Sequence, residues 1–242
     1  MLSVKELTAY RGGKAVVEGV TLSASRELVL ITGPNGAGKT TLLLAILGLV
    51  PHTGEVCVDG TCGAERVVKI GYVPQCITPE ARATVWEYVY LPAKFRGVRD
   101  PEGASERALR AVGMRELRDA PVDSLSGGQL QRAAIARALA TGGDVLLLDE
   151  PFANVDPQGR VELLSLLGEL KRDRTVLVTT HELSLLLPIA DRVMLLNRRV
   201  LAYGRPEEVV REEVLRSVYR YVRVGATPRG ICCVTEDFAH PH

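Results

Sequence analysis

Gly33-Pro34-Asn35-Gly36-Ala37-Gly38-Lys39-Thr40-Thr41 follows the apolar run Leu28-Val29-Leu30-Ile31 and precedes the leucine-rich stretch Leu42 to Leu49. That order predicts strand, glycine loop and helix, the context in which a phosphate-binding loop is recognised. Its glycines keep side chains out of the way, so successive backbone N–H groups can converge on phosphate oxygens at the positive end of the helix dipole. Lys39 is expected to reach the β- and γ-phosphates, and the Thr40 hydroxyl to take a place on Mg²⁺. The nine residues Gly33 to Thr41 are candidate contacts of a nucleoside triphosphate.

The chain has 242 residues, enough for one large α/β domain with a smaller inserted lobe. Hydrophobic residues make up 46% and charged residues 24%, without a low-complexity tract, so a compact globular protein is expected throughout. Lys and Arg total 30 against 29 Asp and Glu, which leaves no whole-chain electrostatic footprint for a nucleic-acid partner. The most apolar window, Leu42 to Val50, falls far short of the roughly 20 residues a membrane-spanning helix needs. The N-terminus interleaves charges with apolar residues and reads as a strand rather than a leader, so a cytoplasmic location is expected. Cys57, Cys62, Cys76, Cys232 and Cys233 form no CxxC pair and are odd in number, which argues against a disulfide framework or zinc finger.

Before the loop, Leu2 to Leu7, Val16 to Leu22 and Leu28 to Ile31 read as strands of an antiparallel region, with Tyr10 placed where an aromatic face can stack on a purine. Glu55 to Gly60 and Val67 to Val73 are strand-like, and the second ends at Pro74-Gln75. Gln75 offers an amide oxygen that can coordinate a metal or bond a water. Glu80 to Leu91 and Glu102 to Leu117 have helical periodicity, with residues 92–101 as a loop between them. Leu125-Ser126-Gly127-Gly128-Gln129 then opens an alanine-rich helix in which Ser126 and Gln129 fit a capping box. A bare, serine-capped helix start is an ordinary N-terminus and equally a second anion site.

Val145 to Leu148 reads as a buried parallel strand ending in Asp149 and Glu150. Ligands of open α/β sheets sit off the C-terminal ends of strands, so these carboxylates are expected beside the phosphate loop. Asp156-Pro157 starts a helix, and Thr175 to Thr180 is a further buried strand that delivers His181 to the same sheet edge. Beyond a strand at Arg192 to Leu196 and a return at Arg199 to Tyr203, a helix is expected from Pro206 to about Tyr221 and a less regular stretch from Val222 to His242. In that stretch Cys232, Cys233, His240 and His242 have metal-ligand chemistry without a matching spacing.

Together these pieces resemble the nucleotide-binding subunit of ATP-binding-cassette transporters, from Tyr10 to about residue 210. Gly33 to Thr41 is similar to the family's Walker A loop, Gln75 to its Q-loop glutamine and Leu125 to Arg132 to its LSGGQ signature. Asp149 and Glu150 match Walker B and the catalytic glutamate, Asp156 the D-loop aspartate, His181 the switch histidine, and Tyr10 the adenine-stacking aromatic. The resemblance implies a P-loop NTPase core of α/β class with a mostly parallel sheet, an N-terminal antiparallel β region and a helical subdomain inserted at about residues 76–140. Residues 1–222 would form one domain and residues 223–242 a tail.

It also implies ATP and Mg²⁺ bound between two copies of the chain, with Ser126, Gly127, Gly128 and Gln129 of one copy completing the other's loop. Glu150, His181 and Gln75 would be catalytic; Thr40, Gln75 and Asp149 would serve Mg²⁺. Membrane permease subunits, driven through residues near Gln75 to Arg99, and a substrate-binding protein are the implied partners, at the cytoplasmic face of the membrane. The chain departs from the family's usual pattern at Arg26-Glu27 and at Pro151-Phe152-Ala153-Asn154-Val155-Asp156, where SALD is the common wording. The latter is most similar to zinc- and manganese-uptake ATPases. A soluble ATPase of the same superfamily, used in iron–sulfur assembly, is the alternative.

Overall fold

The computed structural model describes residues 1–78, 82–227 and 230–237. In chain order the first half runs β1 (Leu2–Arg11), β2 (Lys14–Ala24), β3 (Leu28–Thr32), α1 (Lys39–Ile46), β4 (His52–Val58), β5 (Thr61–Cys62), a 3₁₀ segment Gly63–Lys69, β6 (Ile70–Val73), α2 (Val85–Phe95), α3 (Pro101–Ala111) and α4 (Gly127–Ala140). The second half runs β7 (Val145–Asp149), α5 (Pro157–Leu170), β8 (Thr175–Thr179), α6 (Leu183–Leu186), β9 (Arg192–Asn197), β10 (Arg199–Gly204), α7 (Pro206–Val209), α8 (Glu212–Leu215), β11 (Tyr219–Thr227) and β12 (Gly230–Asp237).

The main sheet has the order β10-β9-β3-β8-β7-β6, and its inner strands are parallel. β3, β7 and β8 are buried at every position, as expected where both faces are covered. On one face α1 is sandwiched against the antiparallel sheet β2-β1-β4-β5, so Leu42, Leu43 and Ile46 pack with Val4, Leu7, Val29, Ile31 and Leu147. On the other face α2, α3 and α4 pack on one another and on the sheet through Val89, Leu109, Met114 and Ile135. The fold is therefore α/β with an antiparallel flank. Its functional consequence is that β3, β7 and β8 all end on one edge.

Several boundaries differ from the sequence expectation. Val67 to Lys69 belongs to the 3₁₀ segment rather than a strand, because buried Arg66 folds its guanidinium onto the carbonyl oxygens of Ile46, Ala45 and Gly63 and caps the C-terminal end of α1. α2 starts after Thr84, whose hydroxyl accepts from Glu87 N while Glu87 accepts from Thr84 N, and it runs through Pro92 to Phe95. The expected helix from Pro206 breaks into the two single turns α7 and α8, and Tyr219 opens a strand. There Val218, Tyr219 and Val222 are buried, and β11 pairs with β12 as a hairpin that packs on α6. Residues 223–227 and 230–237 are thus strand, while His240 and His242 lie outside the described residues. Cys57 and Cys62 are joined in a disulfide, against the expectation from cysteine count. The cause is local: the two-residue turn Asp59-Gly60, both at positive φ, sets Cys57 opposite Cys62 on β4 and β5.

Candidate nucleotide site

The edge where β3, β7 and β8 end holds a cavity of about 620 Å³, within the range of small-molecule sites. Asn35 to Thr41, Val16, Gln75, Glu150 and His181 line it. Residues scattered over the sequence from 16 to 181 are thereby brought together, by parallel strands that finish side by side. Gly33 sits at the turn out of β3, where a Cβ would lie 1.9 Å from the Leu196 carbonyl oxygen of β9; no side chain fits there. Gly38 precedes α1 without any side-chain cap, and no acidic residue occupies the helix's first turn. The first N–H groups of α1 therefore face the cavity without a competing anion, the condition for phosphate binding at a helix start. Lys39 Nζ donates to Gly33 O at 2.7 Å and Pro34 O at 3.3 Å, which folds the ammonium back over the loop.

At the end of β7, Asp149 is buried and Glu150 adopts φ 46°, a left-handed conformation that a non-glycine residue holds only when its surroundings fix it. Those surroundings are the last residue of β8. Glu150 N donates to Thr179 Oγ1 at 2.9 Å and to Thr179 O at 3.2 Å, while Thr179 Oγ1 donates to Asp149 Oδ1 at 2.6 Å. The carboxylate of Glu150 meets His181 Nδ1 at 3.0 Å. Tyr72, on β6 beside β7, has its hydroxyl pushed up to about 12 by burial and by the charge of Asp149, so it stays a neutral phenol. Thr40, Gln75 and Asp149 present a hydroxyl, an amide oxygen and a carboxylate, an all-oxygen donor set that suits a hard divalent cation such as Mg²⁺.

Gly33, Pro34 and Asp149 adjoin residues of this cavity lining without belonging to it, and Tyr10, Ser126 to Gln129 and Asp156 also fall outside it. Tyr10 stands at the end of β1 opposite Ala15, beside Val16, which does line it. Ser126 caps α4 by accepting from Gln129 N at 3.3 Å, and Gln129 Oε1 accepts from Ser126 N at 3.0 Å, so the capping box is present and Ser126 is exposed. Asp156 caps α5 by accepting from Gly159 N at 3.0 Å. Thr179 and Arg160 were not singled out by sequence. Arg160 Nε donates to Val155 O at 3.1 Å and its guanidinium donates to Glu182 Oε2 at 2.8 Å, linking the turn before α5 to the residue after His181. Neither has a motif of its own; only the register of β7 against β8 would have pointed to Thr179.

Residues 18–153 match the ABC transporter family, more than half of the chain. This chain belongs to the ABC transporter family, as an ATP-binding subunit. Its activity is ATP hydrolysis. The subunit is 40% identical over 203 residues to the zinc import ATP-binding protein ZnuC of Pseudomonas putida, covering 82% of this chain and 75% of that one. It is 34% identical over 230 residues to the manganese transport system ATP-binding protein MntB of Halalkalibacterium halodurans, covering 91% and 92%. Among solved structures, the dimeric post-hydrolysis state of the ATP-binding cassette MJ0796 bound to ADP and Pi superimposes with a TM-score of 0.72 at 29% identity, covering 85% of this chain and 98% of that one. A metal-chelate-type ABC transporter in an inward-facing conformation gives 0.81 at 25% identity over 98% and 97%. Among the described residues no helix of the subunit is long and apolar enough to cross a membrane.

Proposed function

We propose that this subunit binds ATP with Mg²⁺ between two of its copies and couples hydrolysis to a membrane permease that imports a divalent metal cation such as zinc or manganese. The observation that carries the hydrolytic reading is the convergence of Lys39, Gln75, Glu150 and His181 on one cavity. The cargo reading rests on the similarity to ZnuC, named for zinc import, and MntB, named for manganese transport. A substrate-binding protein on the far side of the membrane completes the importer in this reading.

Phosphoryl transfer to water leaves the protein mainly the tasks of positioning and charge stabilisation. The loop from Gly33 to Thr41 would bind the phosphates through backbone N–H groups and Lys39. Thr40, Gln75 and Asp149 would hold Mg²⁺. When bound, that ion supplies neutralisation of the charge on the transferred group. Glu150 would accept a proton from the attacking water, and His181, already 3.0 Å from its carboxylate, would hold that carboxylate in place. Tyr10 would stack on the base, while Ser126, Gly127, Gly128 and Gln129, with Asp156 near them, would close the site from the second copy.

The test uses the subunit reconstituted with its permease in vesicles. ATP should drive zinc or manganese uptake by the parent and none by Glu150→Gln, and purified Glu150→Gln should accumulate as an ATP-bound dimer in gel filtration. Hydrolysis by Glu150→Gln at the parental rate would remove Glu150 as the base. ATP-dependent uptake of neither metal by the parent would remove the cargo assignment alone.

A further inference from the structure

The hydroxyl of Thr179 is fully buried, hydrogen-bonded on both sides, and belongs to none of the motifs above. A threonine hydroxyl carries one proton. Because its oxygen accepts the Glu150 amide N–H at 2.9 Å, its own proton is free to point only at Asp149 Oδ1, 2.6 Å away. The bond to a carboxylate is the charge-assisted kind, shorter and stronger than a neutral one. One hydroxyl thus sets the carboxylate of Asp149 and the backbone of Glu150 simultaneously. The second task matters because Glu150 is held at φ 46°, where an L-residue does not rest unless it is restrained. Branching at Cβ limits Thr179 to few side-chain rotamers on its strand, so the hydroxyl is pre-aimed. Two residues further along the chain is His181, which closes the loop of contacts on the Glu150 side chain.

We infer that Thr179 is a positioning residue of the hydrolytic centre: its hydroxyl fixes Asp149 for the cation and Glu150 for the attacking water. This rests on the reading of Glu150 and Asp149 given above. The test compares Thr179→Val, which keeps shape and removes the hydroxyl, with Thr179→Ser, which keeps the hydroxyl. Partners that orient metal ligands cost about 10–100-fold in metal affinity or activity when removed. Thr179→Val should therefore lower kcat by that factor while KM for ATP stays within about twofold, since the phosphate loop is untouched. Mn²⁺ affinity of the ADP-bound subunit, read by electron paramagnetic resonance without turnover, should weaken by about tenfold or more. Thr179→Ser should restore both.

Parental kcat and Mn²⁺ affinity in Thr179→Val would overturn the inference, as would a Thr179→Ser variant as impaired as Thr179→Val, because the methyl group would then be what counts. Should Thr179→Val not give folded protein by thermal unfolding, Thr179→Ala carries the same comparison with the same criteria. The two readings fail separately. Loss of turnover in Glu150→Gln with none in Thr179→Val overturns only the role of Thr179, whereas parental turnover in Glu150→Gln overturns the underlying assignment.

Discussion

At the scale of single residues, the site is organised by side chains that hold other side chains. Arg160 illustrates this, because its guanidinium and Nε bridge Glu182 and the Val155 carbonyl, the neighbours of His181 and Asp156 respectively. Both ends of the Arg160–Glu182 pair are partly exposed, so the pair adds little to global stability. Its effect belongs to geometry. Arg160→Ala and Glu182→Gln are each expected to lower kcat several-fold with little change in unfolding midpoint, and the double variant to be no worse than the poorer single one. Additive losses in the double variant, measured by steady-state hydrolysis, would show that the two act independently. Asp149, Glu150 and His181 were legible because they end apolar runs that had to be parallel strands. Thr179 and Arg160 were not, since their meaning arises only from strand register and from a contact across two turns.

At the scale of elements, the start of α4 and the turn before α5 are locked together at Gly127. A Cβ on Gly127 would lie 2.4 Å from the Asn154 carbonyl oxygen, so backbone meets backbone there and no larger residue fits without a shift. The glycines of the LSGGQ stretch therefore serve packing as well as bareness. Gly127→Ala should displace either Ser126 or the Asn154–Asp156 turn by part of an ångström. Displacements of about 1 Å at a catalytic constellation can cost on the order of 100-fold in rate. The expected outcome is a folded subunit with kcat reduced at least about tenfold, and unchanged kcat would place this contact outside the active assembly. Sequence periodicity located α4 and α5 well because their caps, Ser126 and Asp156, are strong local signals. It located α2 and the segment after Pro206 poorly. Pro92 is carried inside α2 by burial of Val89 and Ala93, and Tyr219 is drawn into a strand by burial and hairpin pairing with β12. Both are tertiary effects that override local preference. The Cys57–Cys62 bond has the same origin, since cysteine counting carries no information about which residues a two-residue turn sets face to face.

At the scale of the whole molecule, the parallel strands concentrate phosphate-loop and carboxylate groups at one edge, while Ser126 and Gly127 stand exposed and the stretch to Gln129 lies outside that cavity's lining. The capping box satisfies Ser126 and Gln129 toward their own helix, yet the exposed start of α4 keeps the positive end of its dipole toward solvent. A second copy that supplies this helix start to the first copy's phosphate would make each hydrolytic site from two chains. That arrangement predicts complementation. Lys39→Ala should abolish hydrolysis by removing the phosphate-binding ammonium, and Ser126→Arg should abolish it by placing a bulky side chain at the helix start. In a mixture of the two inactive variants, a mixed dimer has one site with both defects and one with neither. Random pairing at equal amounts makes half of the dimers mixed, each with one intact site. If the two sites turn over independently, about one quarter of the parental activity should return, and it should rise and fall with the ratio of the two proteins. No recovery at any ratio, with both variants folded and the Ser126→Arg variant still binding ATP, would mean that each chain hydrolyses alone or that the two sites fire only together. A dimer with Lys39→Ala in one copy and all else parental separates those outcomes, since independent sites retain half the activity and coupled sites none.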